Sequence, residues 1–209
     1  MKNICSILLA AGSSSRMNYP KQLLKWKGKT LIEYQINQLR KQSFAEIIVI
    51  LGHQCEKIKE IVSIKDKRVT FLTCWQYQAG LSESLKTGLS YAMKKYDGLL
   101  IMLVDMPLIQ SKTIEKVVHR GSSLLNNRND PYVVQPSYQQ QPGHPVFIGH
   151  FAKIDWRDLK GDQGAKQIMR KLKDHYFIDL MDEGIIYDFD TPEEYEKALI
   201  KNQITGKMT

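Results

Sequence analysis

The residues best suited to chemistry near the start of this chain form a loop rich in glycine and serine. An apolar run with strand character, Ile4–Leu9, gives way abruptly to glycine and serine over residues 12–15. Gly12 can adopt a positive φ, and the successive backbone N–H groups can form a concave nest for phosphate oxygens. Arg16 adds a guanidinium fork and Lys21 a mobile point charge. The pattern predicts a phosphate-binding loop, with an ordinary polar turn after a strand as the alternative.

This loop matches neither of the two common nucleotide-binding fingerprints. It lacks the terminal Gly-Lys-Ser/Thr of a P-loop and the G-x-G-x-x-G of a dinucleotide-binding fold. Both of those folds are therefore disfavoured.

Two aspartates are candidate metal ligands. Asp105 follows the apolar run Leu99–Val104 and precedes Pro107, so its carboxylate is expected to project from the end of a strand. Asp190 stands just before the last predicted helix. Two carboxylates, completed by substrate phosphates and water, suit Mg²⁺, which rarely receives a full protein cage. The alternative is that Asp105 is a turn residue and Asp190 a residue of the helix start.

The elements that must position these residues alternate along the chain. Strands are predicted at the apolar runs 4–9, 47–51, 69–72 and 99–104, and a shorter apolar run covers 146–148. Helices are predicted after the capping box Thr30–Glu33, over 84–95, over 111–125, and from Thr191 with Pro192 and Glu194; the tail after Lys201 is expected to fray. Residues 126–131 are expected to be rich in loop structure, and residues 135–142 form a less regular segment of proline and glutamine.

This alternation predicts an α/β fold with a mostly parallel sheet whose strands are buried on both faces. Ligands of such sheets bind beyond the carboxyl ends of the strands, where the loop at 10–21 and Asp105 would both lie. The candidate phosphate loop and the candidate metal ligand are thus expected to converge.

Composition sets limits on function. The chain has 209 residues, 43% hydrophobic and 25% charged, with no apolar run long enough for a membrane span and no signal peptide pattern, so it is expected to be cytoplasmic and not bound to membranes. Its three cysteines show no C-x-x-C spacing, which disfavours a disulfide framework or a zinc site.

The net charge of +8 lies entirely in the first half of the chain. Residues 1–105 hold 16 basic against 8 acidic residues, and residues 106–209 hold 14 of each. This asymmetry suits a polyphosphate ligand. Nucleic acid is disfavoured as a partner because no aromatic-interleaved basic stripe, zinc finger or arginine-rich tract is present.

Six short motifs occur in the order typical of one enzyme family. The chain resembles the MobA-like nucleotidyltransferases, and within them the branch of molybdenum cofactor cytidylyltransferases and xanthine dehydrogenase accessory proteins. The motifs span nearly the whole chain, and six in order are far more specific than any one. They are Leu9–Met17 with Lys21, Gly80–Leu89, Asp105–Pro107, Gly143–Phe147, Gly161–Lys166 and Asp190–Pro192.

The resemblance implies a three-layer, Rossmann-like nucleotidyltransferase fold over residues 1–209 as one domain. Residues 1–105 would form the nucleotide-binding half and residues 106–200 the acceptor-binding half. Catalytic roles are implied for Arg16, Lys21 and Asp105, and Mg²⁺ binding for Asp105 and Asp190. The implied ligand-binding residues are Leu9, Ala10, Ala11, Gly12, Ser13 and Ser14 around the triphosphate, Gly80, Ser82 and Ser84 beside base and ribose, and His144 toward the acceptor.

Ala11 bears on the choice of nucleotide. The cytidylyl branch usually carries Leu-Ala-Ala-Gly, as at residues 9–12 here, where the guanylyl branch carries Leu-Ala-Gly-Gly. Two departures from the family pattern are Cys74-Trp75 in place of a frequent Asn-Pro and Lys166 in place of a frequent arginine. A lysine keeps the charge but loses the bidentate fork.

Further interpretations stay open at this point. His144 contacts the acceptor or simply orients a turn, and His53 has no partner visible in the sequence. Pro20-Lys21-Gln22 is also similar to the cytidylyltransferase of isoprenoid synthesis, against which the motifs at Gly143 and Gly161 argue.

The leading functional hypothesis is Mg²⁺-dependent transfer of CMP from CTP to molybdopterin, which gives the cytosine dinucleotide cofactor and pyrophosphate. A xanthine dehydrogenase-type apoenzyme is a possible partner. The alternatives are GTP as the donor, a sugar or polyol phosphate as the acceptor, and a non-catalytic carrier that inserts the finished cofactor.

Overall fold

The computed structural model describes residues 3–205, which fold into an eight-stranded sheet with helices on both faces. The strands are β1 (Ile4–Ala10), β2 (Lys25–Trp26), β3 (Lys29–Thr30), β4 (Glu46–Leu51), β5 (Val69–Thr73), β6 (Gly98–Leu103), β7 (Tyr132–Tyr138), β8 (Gln141–Pro142), β9 (Val146–Gly149) and β10 (Asp174–Asp179). The helices are α1 (Leu31–Arg40), α2 (Cys55–Ile61), α3 (Leu81–Ala92), α4 (Ser111–Leu124), α5 (Lys166–Met169) and α6 (Pro192–Thr205).

The sheet is mostly parallel, as predicted. Its strand order is β10-β7-β9-β6-β1-β4-β5, with β8 paired to β7, and β2 pairs with β3 in a separate small ribbon. The pairs β1–β4, β1–β6, β4–β5 and β7–β10 are parallel, whereas β9 runs antiparallel to both of its neighbours. Because β1 lies beside β6 with Leu9 opposite Leu103, the loop after β1 and Asp105 leave the same edge of the sheet.

Two apolar cores lie on the two faces of this sheet, which gives the three layers. Alternate residues of β1 enter different cores, since Leu8 packs in one and Leu9 in the other. Helices α1, α4 and α6 supply Ile36, Ile114 and Ala198 to the first core, and α3 and α5 supply apolar residues to the second. The continuous apolar runs of the sequence therefore follow from burial on both faces.

Both predicted capping boxes are confirmed. Thr30 Oγ1 accepts from Glu33 N at 3.4 Å, and Glu33 Oε2 accepts from Thr30 N at 3.0 Å. At α6, Thr191 Oγ1 accepts from Glu194 N at 3.3 Å while the Glu194 carboxylate accepts from Thr191 N at 3.0 Å. Helix α6 runs on to Thr205, so the predicted fraying does not start at Lys201, and residues 206–209 lie outside the described range.

The second half of the chain holds more strand than the sequence predicts. Residues 135–142, which the sequence indicates to be less regular, belong to β7, a tight turn and β8. Pro136 is tolerated within β7 because β9 pairs only with residues 132–134, so no hydrogen bond to β9 is lost. Helix α3 also starts at Leu81, three residues before the prediction, because Gly80 with φ of +106° ends the preceding turn.

A buried carboxylate joins α4 to the turn after β10. Asp182 accepts hydrogen bonds from Gln110 N at 3.0 Å, from Thr113 Oγ1 at 2.6 Å and from Gly184 N at 3.1 Å. It therefore satisfies free N–H groups at the start of the helix and in its own turn.

We expect Asp182→Ala to lower the free energy of unfolding by about 2 to 3 kcal/mol, because the substitution leaves buried donors without partners. Equilibrium unfolding in urea measures this loss. The matched variant Asp158→Ala breaks only an exposed ion pair with Lys171 and should cost less than about 1 kcal/mol. Equal midpoints for the two variants would contradict the assigned role of Asp182.

Candidate active site

The loop after β1 is wrapped around the side chain of Gln22. Gln22 is buried, and its Nε2 donates to Ala10 O at 2.7 Å and to Gly12 O at 3.1 Å. Ser14 Oγ accepts from Lys21 N at 3.0 Å, which closes the loop on itself. The sequence did not single out Gln22 by itself, because a glutamine that binds backbone carbonyls leaves no distinctive pattern.

The backbone of this loop differs from the prediction at one residue. Ser14, with φ of +54°, takes the left-handed conformation, and Gly12 does not. A Cβ built on Gly12 would meet no atom within 4 Å, so the space around this residue is open. Among residues 3–205, no acceptor is bound by the backbone N–H groups of residues 12–15, so anion binding by these groups stays a prediction that the geometry permits.

Lys21 lies at the centre of a charged cluster that joins distant parts of the chain. Its Nζ lies 3.1 Å from Asp105 Oδ2 and 2.8 Å from Phe189 O, and it also donates to Asp190 Oδ1. Arg16 pairs with the other oxygen of Asp190. The structure thus brings together all four charged residues that the sequence nominates.

The charges of this cluster stabilise one another. Burial alone would lower the pKa of the Lys21 ammonium, but Asp105 and Asp190 outweigh it and raise this pKa. Burial would raise the pKa of Asp190, but hydrogen bonding and charge from Lys21, with Arg16 beside it, lower this pKa. Both groups therefore stay charged at neutral pH.

A third carboxylate, Asp188, stands two residues before Asp190. Burial and the charges of Asp105 and Asp190 raise the pKa of Asp188. Phe189 between them is fully buried, whereas Asp188 is exposed and Asp190 partly exposed, so both carboxylates face away from the core. The spacing Asp-x-Asp is the signal that could have nominated Asp188.

Asp105 and Asp190 fit a divalent cation. Their oxygens already converge on one ammonium nitrogen, and carboxylates are the hard ligands that Mg²⁺ prefers. Within residues 3–205 no set of three or more His, Cys, Asp or Glu side chains is arranged to hold a metal ion. The remaining ligands would therefore have to come from phosphate oxygens and water.

A cavity of about 620 Å³ opens over the ends of β1 and β6, and its lining does not include Arg16, Lys21, Asp105 or Asp190. Its floor is apolar and includes Leu9 and Leu103. Its polar lining consists of Gln135, Gln141, His144, Asp162, Gln163, Lys166, Arg170 and His175. The cavity thus unites the motifs at Gly143 and Gly161, which the sequence assigns to the acceptor side.

His144 is held in this cavity by its backbone. His144 N donates to Ile185 O at 2.8 Å, and a Cβ on Gly143 would lie 2.2 Å from the same oxygen, so only glycine fits there. The peptide bond between His144 and Pro145 is cis. Burial lowers the pKa of His144 to about 4, and its Nδ1 has no partner among the described residues. The imidazole is therefore neutral at physiological pH.

This shift predicts a dependence of stability on pH. Because the folded pKa of His144 lies below its unfolded value, the unfolded chain binds the extra proton between about pH 6.5 and 4. Stability contributed by the neutral histidine is therefore lost as the pH falls through that window, by about 2 kcal/mol for this partly exposed ring. Urea unfolding at pH 7 and pH 4 gives the loss of unfolding free energy for the parent protein and for His144→Gln. The difference between the two losses measures the contribution of His144. An equal loss in both proteins would contradict this origin.

Gly80, Ser82 and Ser84 do not line the cavity. A Cβ on Gly80 would lie 2.6 Å from the Gly161 backbone, so this glycine allows α3 to pack against the Gly161 motif. Asp162 Oδ1 accepts from Leu81 N at 3.2 Å. Ser82 and Ser84 are buried, and the Oγ of Ser82 has no partner within the described chain.

His53 has partners that the sequence did not reveal. Its backbone N donates to Ala11 O at 3.3 Å, and its Nδ1 lies 3.2 Å from the hydroxyl of Tyr77. His53 and Tyr77 therefore flank the start of the candidate phosphate loop.

Comparison with known proteins identifies the family. A family model described as MobA-like NTP transferase domain matches residues 6–176. The chain belongs to this family. It is a nucleotidyltransferase by family.

Individual relatives cover nearly the whole MobA-like chain. A molybdenum cofactor cytidylyltransferase from Escherichia coli (strain K12) is 25% identical over 198 residues, 95% of this chain and 96% of that protein. Nicotine blue oxidoreductase from Paenarthrobacter nicotinovorans is 27% identical over 207 residues, 94% of this chain and 96% of that protein.

A solved structure shares the fold. Rv0371c from Mycobacterium tuberculosis H37Rv, in complex with manganese, superposes with a TM-score of 0.72 at 20% identity and covers 94% of this chain and 97% of its own. The predicted family and the three-layer fold are confirmed. Over residues 3–205, the MobA-like domain has no helix with the length and apolar character that a membrane crossing requires.

Proposed function

We propose that this MobA-like protein transfers CMP from CTP to the terminal phosphate of molybdopterin and releases pyrophosphate. The observation that carries this proposal is Lys21, held between Asp105 and Asp190 beside four free loop N–H groups. Such an arrangement suits a triphosphate with a divalent cation. CTP is the proposed donor because of Ala11 and because a cytidylyltransferase is among the relatives.

The cavity supports an anionic acceptor with a flat, partly apolar body. Lys166 and Arg170 stand one helical turn apart on the lining, and within residues 3–205 neither pairs with an acid. Asp162, the acid of this lining, uses one oxygen for the start of α3. The apolar floor and the neutral His144 suit a heteroaromatic ring. Position 166 is a lysine here where the family often has arginine, so it lacks a guanidinium fork. Arg170 supplies that fork instead.

The reaction is an in-line displacement at the α-phosphorus. An oxygen of the acceptor phosphate forms a bond to the α-phosphorus, the bond to the bridging oxygen breaks, and pyrophosphate leaves with both electrons of that bond. The acceptor phosphate is already an anion at neutral pH, so no residue has to act as a strong base. Catalysis then rests on positioning and on stabilising charge.

The chain supplies these two functions with different residues. The N–H groups of residues 12–15 bind the triphosphate, and Arg16 and Lys21 stabilise charge on the departing pyrophosphate. Asp105 and Asp190 would hold Mg²⁺, which when bound screens the two anions from each other and stabilises charge at the α-phosphate. The structural relative with manganese supports a divalent cation in this role.

One experiment tests the proposal directly. Purified protein is incubated with molybdopterin, Mg²⁺ and each of the four nucleoside triphosphates, and the products are identified by mass. We expect the cytosine dinucleotide and stoichiometric pyrophosphate. Preference for GTP would overturn the nucleotide, transfer only to a sugar or polyol phosphate would overturn the acceptor, and no pyrophosphate with any nucleotide would overturn the activity.

A further inference from the structure

The acceptor cavity contains a hydrogen-bonded pair, Gln135 and His175, to which neither the sequence motifs nor the proposed mechanism assigns a role. Both side chains line the cavity. Gln135 is buried in β7, and His175 lies half-buried on the neighbouring strand β10. The two residues are 40 positions apart, and they meet because β7 and β10 pair in parallel.

The amide of Gln135 has a fixed orientation. Its Nε2 donates to Gly143 O at 2.9 Å, so its Oε1 faces the other way, where it lies 3.0 Å from Nε2 of His175. An amide oxygen only accepts hydrogen bonds, and Nε2 of His175 must therefore carry the proton. This contact fixes the tautomer of the neutral imidazole.

The fixed tautomer leaves Nδ1 of His175 as a hydrogen-bond acceptor. Within residues 3–205 this nitrogen has no partner. Phe177 stacks on the imidazole with ring centroids 4.3 Å apart and planes 25° apart, and this contact holds the ring in place. Phe177 is 53% exposed, so it supports the imidazole from the outer side and not from the core.

We propose that His175 determines acceptor specificity by accepting, through Nδ1, a hydrogen bond from a ring N–H or amino group of a planar heteroaromatic acceptor. This inference rests on the proposed function for the class of acceptor. A pyrimidine-type ring edge with N–H donors matches an acceptor nitrogen at the cavity wall, whereas an edge without donors leaves that nitrogen unpaired. Gln135 acts as a positioning residue through the imidazole and also braces Gly143, the neighbour of His144.

The test uses two fluorescent probes and needs no transfer reaction. Pterin carries N–H donors on its pyrimidine ring, and 1,3-dimethyllumazine has the same bicyclic shape with those donors replaced. Dissociation constants are measured by fluorescence titration of the whole protein. We expect the parent protein to bind pterin about tenfold more tightly, the value of one hydrogen bond.

Two substitutions of His175 separate ligand recognition through Nδ1 from the structural contact with Gln135. In His175→Gln the amide nitrogen occupies the place of Nε2 and still donates to Gln135, but nothing replaces Nδ1. In His175→Asn the amide oxygen occupies the place of Nδ1, but the contact with Gln135 is lost. Recognition through Nδ1 predicts that His175→Gln loses the preference for pterin and that His175→Asn keeps most of it. A purely structural role predicts the reverse order.

A matched control is His119→Gln, on the exposed surface of α4 outside this cavity, which should behave as the parent protein. Equal affinity of the parent protein for the two probes, or an unchanged preference in His175→Gln, would overturn the inference. CMP transfer is scored separately. If His175→Gln loses the preference for pterin but the parent protein shows no transferase activity, the proposed function is overturned. Recognition of the heteroaromatic ring by His175 is then still supported.

Discussion

Replacing Lys21 with methionine should lower kcat/KM for pyrophosphate release by about 10² to 10³-fold, the range typical of losing one preorganised charged donor. Methionine preserves the length and apolar stem of the side chain, so the fold around it should persist. The ammonium is the only part removed, and its loss leaves Asp105 and Asp190 without the cation that they share.

The same substitution should strengthen binding of a divalent cation in the absence of nucleotide. Lys21 and a metal ion compete for the same two carboxylates, and removing the ammonium ends that competition. Titration with Mn²⁺, followed by the electron paramagnetic resonance of the free ion, measures this affinity. A weaker transferase with a tighter metal site is the expected combination.

Lys25→Met is the matched control, since Lys25 is exposed in β2 and its backbone oxygen, not its side chain, accepts from Tyr195. It should leave both transfer and Mn²⁺ binding unchanged. Weaker Mn²⁺ binding by Lys21→Met than by the parent protein would contradict the hypothesis that Lys21 and the metal compete. Lys21 would then instead position the two carboxylates for the metal.

The first half of the fold was predictable because its strands are buried on both faces. β1, β4 and β6 are almost entirely apolar, with Ser6 and Glu46 as the polar exceptions. Each predicted bound differs from the observed one by no more than one residue. Helix α1 was predictable at its first residue because a capping box is a local signal, formed by residues three apart.

The second half was less predictable because its strands depend on distant partners. β7 carries Gln135, Pro136 and Ser137, which disfavour a strand in isolation, and it exists because β9 and β10 flank it. β10 is an edge strand whose apolar stretch, residues 176–178, is only three residues long and is flanked by Asp174, His175 and Asp179. Tertiary pairing here outweighs local propensity.

In the candidate site, too, some features follow from local sequence and others depend on distant partners. Arg16, Lys21, Asp105 and Asp190 each follow or precede a regular element, so their types and positions nominate them, and the topology of a parallel sheet predicts that they meet. That Lys21 lies between two carboxylates depends on distances that no local pattern encodes. The pair Gln135 and His175 was missed for the same reason, since its residues are 40 apart and lie in strands that the sequence did not predict.

Replacing Asp105 with asparagine distinguishes a transferase from a cofactor carrier. The substitution keeps the shape of the side chain and removes its negative charge, so the contact with Lys21 weakens while the packing at the end of β6 is preserved. We expect kcat/KM for CMP transfer to fall by about 10³-fold or more, because charge stabilisation by a bound metal is worth several kcal/mol. Binding of Mn²⁺ should weaken in parallel.

A carrier would behave differently under the same substitution. If the protein is only a carrier, Asp105→Asn should still activate a xanthine dehydrogenase-type apoenzyme when it is supplied with preformed cytosine dinucleotide. If the protein is a transferase, Asp105→Asn should fail to activate the apoenzyme only when it is supplied with CTP and molybdopterin. Asp130→Asn, an exposed substitution in the loop before β7, should match the parent protein in both assays. If Asp105→Asn retained full CMP transfer, the Asp105 carboxylate would have no part in catalysis. The metal site would then have to be sought at Asp188 and Asp190, the other two carboxylates near Lys21.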